Sequence, residues 1–178
     1  MKFHWVRRGI AACAFLACAS VVHAADLPAT FDPARDGAAD VAYALALAKA
    51  QGKRVIVDVG GEWCSWCHVL DRFIAPNDEV RDAIDAHYVW VKVNFSKQNK
   101  NAALLARWPK VAGYPHLFVL DANGAVVLSQ NTEALESGNT YDKARFLAFL
   151  AKGAGELPSR AAASYGPSGL VGKPTYVF

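Results

Sequence analysis

The stretch Val55-Ile-Val-Asp-Val-Gly-Gly-Glu-Trp-Cys64-Ser-Trp-Cys67-His68 constrains this chain more than any other. Its β-branched residues read as a buried strand, Gly60 and Gly61 break it, and two cysteines follow at helical spacing. This order predicts Cys64 at or near a helix N-terminus, where unpaired N–H groups and the helix dipole favour a thiolate. Cys67 lies one turn further on, close enough to form a small disulfide ring. An activated thiol with a resolving thiol three residues later is the chemistry of thiol–disulfide exchange.

The N-terminus points to export. Lys2, Arg7 and Arg8 precede an apolar run from Gly9 to Val22, and Val22-His23-Ala24 supplies a small-residue cleavage site. Residues 1–24 therefore read as a secretory signal peptide, and a periplasmic or secreted protein is expected. An uncleaved anchor is the alternative, but the run is shorter than the ~18 residues that a spanning helix needs. Cys13 and Cys18 each follow small residues, which raises a lipoprotein alternative, weakened by a short apolar run before Cys13 and by Phe15 before Cys18.

Loss of the leader removes three of the 19 Lys and Arg and leaves 16 against 16 Asp and Glu. A mature chain of zero net charge gives no argument for nucleic acid or an anionic membrane surface as partner. Of the four cysteines only Cys64 and Cys67 remain. A disulfide between them closes too small a loop to staple the fold effectively, so a purely structural role is the weaker reading.

The rest reads as one domain, residues 40–152, between an N-terminal extension (25–39) and a Gly/Ala/Ser/Pro-rich tail (153–178). Expected helices are Asp40 to Ala50 with Gly52 as its stop, Glu62 to Ala75, Asn77 or Asp78 to Asp85, Ala102 to Trp108, and Thr140 to Lys152. Expected strands are Lys53 to Val59, Tyr88 to Phe95, His116 to Leu120 and Ala125 to Ser129, the last two joined by the turn Asp121-Ala-Asn-Gly124. Helices between the early strands imply parallel crossovers, and the late hairpin must be antiparallel. The fold class is α/β, with a mixed central sheet covered by helices on both faces.

From about Asp40 to Ala151 the sequence resembles the thioredoxin superfamily. Trp63-Cys64-Ser65-Trp66-Cys67 follows Val55-Ile-Val-Asp58, similar to the family's second core strand with its buried aspartate. Lys92 in Val91-Lys92-Val93-Asn94 matches the lysine beside that aspartate, and Val111-Ala-Gly-Tyr114-Pro115 resembles the segment with the family's cis-proline. Within the superfamily, Glu62 to Asp71 is similar to exported thioredoxin-like domains with a W-C-x-W-C-H core and, less closely, to the C-terminal periplasmic domain of the transmembrane reductant conductor DsbD. Departures are Ser65-Trp66 between the cysteines in place of Gly-Pro, Gly60 in place of a tryptophan, and Tyr114 and His116 around the proline.

The resemblance implies a thiol:disulfide oxidoreductase with no cofactor beyond its own Cys64–Cys67 pair. Cys64 is the expected nucleophile, with an accessible sulfur, and Cys67 the more buried resolving thiol. Asp58, if buried beneath the motif, could accept the proton of Cys67, and Lys92 could stabilise its ionised form. Pro115 is expected to be cis, and Tyr114 to offer backbone groups to an extended substrate strand. Trp63 is expected to pack beside the motif, while Trp66 is left between packing and an apolar landing area. Expected partners are protein thiols and disulfides, with a membrane-embedded electron donor for an exported reductase, and the protein is expected to be a monomer.

Three rival readings stand beside this one. Cys64-Ser-Trp-Cys67-His68 also spells the C-x-x-C-H of covalent c-type haem attachment. His68 would then ligate the iron, with His87 or His116 opposite, because the only methionine is Met1. The alternating strands, Asp58 and the Gly-Tyr-Pro segment speak against it. A zinc site of Cys64, Cys67 and histidines lacks a second spaced ligand pair. The other rival is a binding module that presents Trp66, Tyr114 and the tail to a partner, against which two intact cysteines argue.

Overall fold

A computed structural model describes residues 26–155; the expected signal peptide and the expected tail beyond Gly155 lie outside the described residues. In chain order the elements are α1 (Gly37–Gln51), β1 (Arg54–Gly60), α2 (Ser65–Ile74), α3 (Asp78–His87), β2 (Tyr88–Asn94), α4 (Ala102–Leu105), β3 (His116–Leu120) and β4 (Val126–Asn131). A 3-10 turn (Thr132–Leu135), a short ribbon of β5 (Glu136–Ser137) and β6 (Thr140–Tyr141), and α5 (Lys143–Ala154) complete the domain. The main sheet runs β2-β1-β3-β4. β1 and β2 are parallel, while β3 is antiparallel to both β1 and β4. The expected mixed sheet between two helical layers is thus present.

Strand periodicity sorts the core into two clusters. Val55, Val57 and Val59 of β1 and Val89, Val91 and Val93 of β2 pack with Val41, Ala44 and Ala48 of α1 and Leu104 of α4. The alternate positions Ile56, Tyr88, Trp90, Leu117 and Val119 pack on the other side with Leu70 and Phe73 of α2, Ile84 of α3 and Phe146 and Leu150 of α5. Asp58 and Lys92, which pair in the β1–β2 ladder, share this second face.

Local signals explain most boundaries. Asp36 caps α1 by accepting from Ala38 and Ala39 N–H, and Gly52 ends it at φ 67°, a conformation that glycine adopts without a Cβ penalty. Asp121 accepts from Asn123 and Ala125 N–H and so shapes the hairpin turn.

Four expectations are corrected. Helix α2 starts at Ser65 rather than Glu62, because Cys64 N–H turns back to Gly61 O at 2.9 Å. Helix α4 stops at Leu105, short of Trp108. The expected helix from Thr140 is split: Thr140–Tyr141 pair with Glu136–Ser137, and only beyond Asp142, which accepts from Arg145 N–H at 2.9 Å, does α5 begin. Helix α5 also continues past Lys152 to Ala154, and its inward residues are Phe146, Phe149 and Leu150, with Leu147 only half-buried.

Candidate active site

The end of β1 and the start of α2 place the two cysteines. Cys64 is the N-cap of α2, in extended conformation at φ −89° and ψ 102°, and its Sγ accepts from Cys67 N–H at 3.1 Å. A sulfur there meets the unpaired N–H groups and positive dipole end of a ten-residue helix. Cys64 and Cys67 are joined as a disulfide with a Cα–Cα separation of 5.3 Å. Both residues are buried, Cys64 3% exposed and Cys67 1%. The expectation of an openly accessible Cys64 is therefore corrected: Phe31, Trp66 and Tyr114 pack around the pair.

Asp58 is fully enclosed, and neither carboxyl oxygen has a hydrogen-bond partner. Burial, the dominant cause, raises its pKa from 3.8 to about 7, with Lys92 pulling it down and Asp71 pushing it up. The Trp90 indole pulls down least, and its N–H is likewise buried without a formed hydrogen bond. A carboxyl that titrates near neutrality can take and return a proton under ordinary conditions.

Lys92 is buried too, but its ammonium points elsewhere. Nζ donates to both oxygens of Asp71 on α2, at 2.6 and 2.7 Å. Asp58 thus feels Lys92 as a nearby charge without a bond to it. Asp71 was not among the residues singled out from sequence. Its place seven residues after Cys64, on the helix face that carries Cys67 and Leu70's neighbours, was the only available signal.

The aromatic residues divide. Trp63 is 58% exposed, its indole Nε1–H donating to Phe95 O at 2.7 Å and its ring edge-on to Tyr114 at 5.5 Å. Trp66 is half-buried, edge-on to Tyr141 at 5.6 Å. Tyr114 stacks on Phe95 at 4.9 Å, and the Tyr114–Pro115 bond is cis. The Pro115 carbonyl accepts from Thr132 Oγ1 at 2.7 Å, which ties the proline to the 3-10 turn after β4. Phe95, Trp108, Val111 and Tyr114 line an open groove beside this corner.

The histidines are scattered. His68 Nε2 meets the Glu62 carbonyl at 2.9 Å. His116 is buried, bonded through Nε2 to Ser129 Oγ at 2.8 Å, and burial lowers its pKa. His87 ends α3 on the surface.

Comparison with known proteins agrees with this geometry. Residues 36–122 match the family model described as thioredoxin-like. The chain is similar to the thiol:disulfide interchange protein DsbD of Pseudoalteromonas atlantica, 28% identical over 85 residues, which are 48% of this chain and 14% of that protein. It is 29% identical to DsbD of Yersinia pestis over 104 residues, 58% of this chain and 16% of that one. The match therefore spans only about one seventh of these curated relatives. Among solved structures, a disulphide isomerase from Xylella fastidiosa superposes with a TM-score of 0.58 at 25% identity, over 71% of this chain and 96% of that one. The reduced C-terminal domain of Neisseria meningitidis DsbD shares the fold, with a TM-score of 0.52 at 17% identity over 66% of this chain and 97% of that one. A β1–α2 junction with a C-x-x-C disulfide, a buried aspartate beneath and a cis-proline beside it, together with these matches, places the chain in the thioredoxin superfamily.

Proposed function

We propose that this chain is an exported disulfide reductase that acts on protein disulfides through Cys64. The observation that carries the reading is the Cys64–Cys67 pair at the start of α2 above a buried carboxyl that titrates at about 7. In the dithiol form the Cys64 thiolate attacks one sulfur of a substrate disulfide. A mixed disulfide forms and the other substrate sulfur leaves as a thiolate, which takes a proton from water. Cys67 then gives its proton to Asp58 and attacks Cys64 Sγ, releasing the second substrate thiolate and leaving Cys64–Cys67 oxidised. Cys67 Sγ lies against Gly60, two residues along β1 from Asp58 on the same strand face, a rise of about 6–7 Å along the strand.

Trp63, Trp66, Tyr114 and Pro115 form the substrate side. The exposed indole of Trp63 gives an apolar landing, and the Tyr114–Pro115 backbone pairs with an extended segment. Asp58 and Lys92 together favour the reducing direction, since they match the pair that the reducing members of the family carry. The basic and apolar leader of residues 1–24 supports a periplasmic or secreted location, and two electrons per turnover then come from a membrane-embedded donor. The protein needs no other cofactor and works as a monomer.

A Cys67→Ser variant tests the mechanism. It should accumulate substrates as mixed disulfides on Cys64, read by non-reducing electrophoresis and mass spectrometry. Failure to trap any, with Cys64 shown to alkylate, would overturn the reading. Equilibration with glutathione or dithiothreitol tests the direction. A potential near −270 mV supports a reductase, about −180 mV an isomerase and about −120 mV an oxidant, the extremes differing by roughly 7 kcal/mol.

A further inference from the structure

β1 turns a side chain toward α2 at every second residue, but at its last position under the disulfide it has only Gly60. A Cβ at Gly60 would stand 2.4 Å from Cys67 Sγ and 2.9 Å from Phe31 Cζ. The space is filled by Phe31, which comes from the segment ahead of α1. Its ring is 1% exposed and packs with Cys64 and Cys67 in a single apolar cluster, flanked by Trp66 and Tyr114. Two further contacts hold it. Phe31 N–H donates to Glu62 Oε1 at 2.8 Å, and Lys92 Nζ lies 4.6 Å from the ring centroid. The Lys92 ammonium is thus held between the Phe31 ring and the Asp71 carboxylate.

Resting on the exchange reading above, we propose that Phe31 is a positioning residue of the redox pair, excluding water from Cys64 and Cys67 and keeping the Lys92 ammonium on Asp71. Apolar cover disfavours a thiolate and leaves a disulfide unharmed, so it shifts the couple toward the oxidised form and lowers its potential. The aromatic face attracts the ammonium more strongly once both are out of water. Cys67, the sulfur nearest Gly60, is the thiol that this cover keeps protonated until a mixed disulfide forms.

The test compares the wild-type protein with Phe31→Ala and, as a control, Leu27→Ala. Leu27 lies in the same segment but packs on the valine cluster of the opposite face. Each is equilibrated with glutathione, and each reduced form is titrated with iodoacetamide between pH 5 and 9. Phe31→Ala should shift the equilibrium toward the dithiol by on the order of tenfold, about +30 mV for a two-electron couple. Cys67 should alkylate at least several-fold faster with its pH profile moved to lower pH, while Leu27→Ala should match wild type. If Phe31→Ala does not fold, Phe31→Leu, which keeps apolar bulk but no ring over Lys92, should move both readouts the same way by less. An unchanged potential and profile in the Phe31 variants, or an equal shift in Leu27→Ala, overturns the inference and leaves the exchange reading standing. A wild-type pair that never equilibrates as a couple overturns both.

Discussion

The two faces of the central sheet are built from alternate residues of the same strands and are equally buried, yet chemically opposite. Toward α1, β1 and β2 present six valines, Val55, Val57, Val59, Val89, Val91 and Val93. Toward α2 the same strands present Ile56, Asp58 and Gly60 beside Tyr88, Trp90 and Lys92. Each buried valine contributes about 1.5–3 kcal/mol. That surplus offsets the desolvation of the Asp58 carboxyl and the Lys92 ammonium on the other face. Both faces bury apolar side chains, but only the face toward α2 also holds groups whose protonation can change.

The largest expected effect comes from moving the chemistry to the wrong face. Val57→Asp would bury a carboxyl among valines with no cation opposite, and should cost more than about 4 kcal/mol and unfold the domain near pH 7. A urea midpoint close to wild type would break the comparison outright. Asp58→Asn probes the other face with opposite sign. The Asp58 carboxyl is raised from 3.8 to about 7, so the folded state holds its proton more tightly than the unfolded chain. The stability linked to that proton is complete below about pH 4, declines as pH rises, and is gone above about pH 7. The Asn variant should therefore gain roughly 2–4 kcal/mol relative to wild type between pH 4 and pH 8. Its urea midpoint should be flatter across that window, and its resolution of the mixed disulfide about 100-fold slower. A wild-type midpoint without decline across this range would contradict the buried-carboxyl account. The smallest effect belongs to Lys92→Met, which should cost about 2 kcal/mol, because Asp71 is partly solvated and loses only its partner. Asp58 would also lose the cation that pulls its pKa down, so the rising limb of the pH–rate profile should move alkaline by about one unit. An unmoved limb would detach Lys92 from the titration of Asp58.

Legibility in the sequence followed the range of the interactions. Gly52, the Asp121–Gly124 turn and the valine alternation act within a few residues, and the elements they set lie close to where they are expected. The split at Thr140 escaped notice because Tyr141 is held by Phe73 and Trp66, far along the chain, and its pairing with Glu136 competes with helix propensity. Within the site, the C-x-x-C spacing placed Cys64 and Cys67 on one helical turn, and the resemblance to the thioredoxin superfamily placed Lys92 beside Asp58. No local pattern could show that Lys92 would choose Asp71, or that Phe31 would bury Cys64.

The sequence by itself determined the two periodicities, the caps and turns, and the identity of the paired sulfurs, because each depends on residues within one turn or one strand. Only the tertiary structure decided which carboxyl is dry and which is paired, and how closed the disulfide is. Those properties arise from desolvation and from charges brought together across separations such as the 36 residues between Phe31 and Cys67, and water is excluded only once the layers have packed.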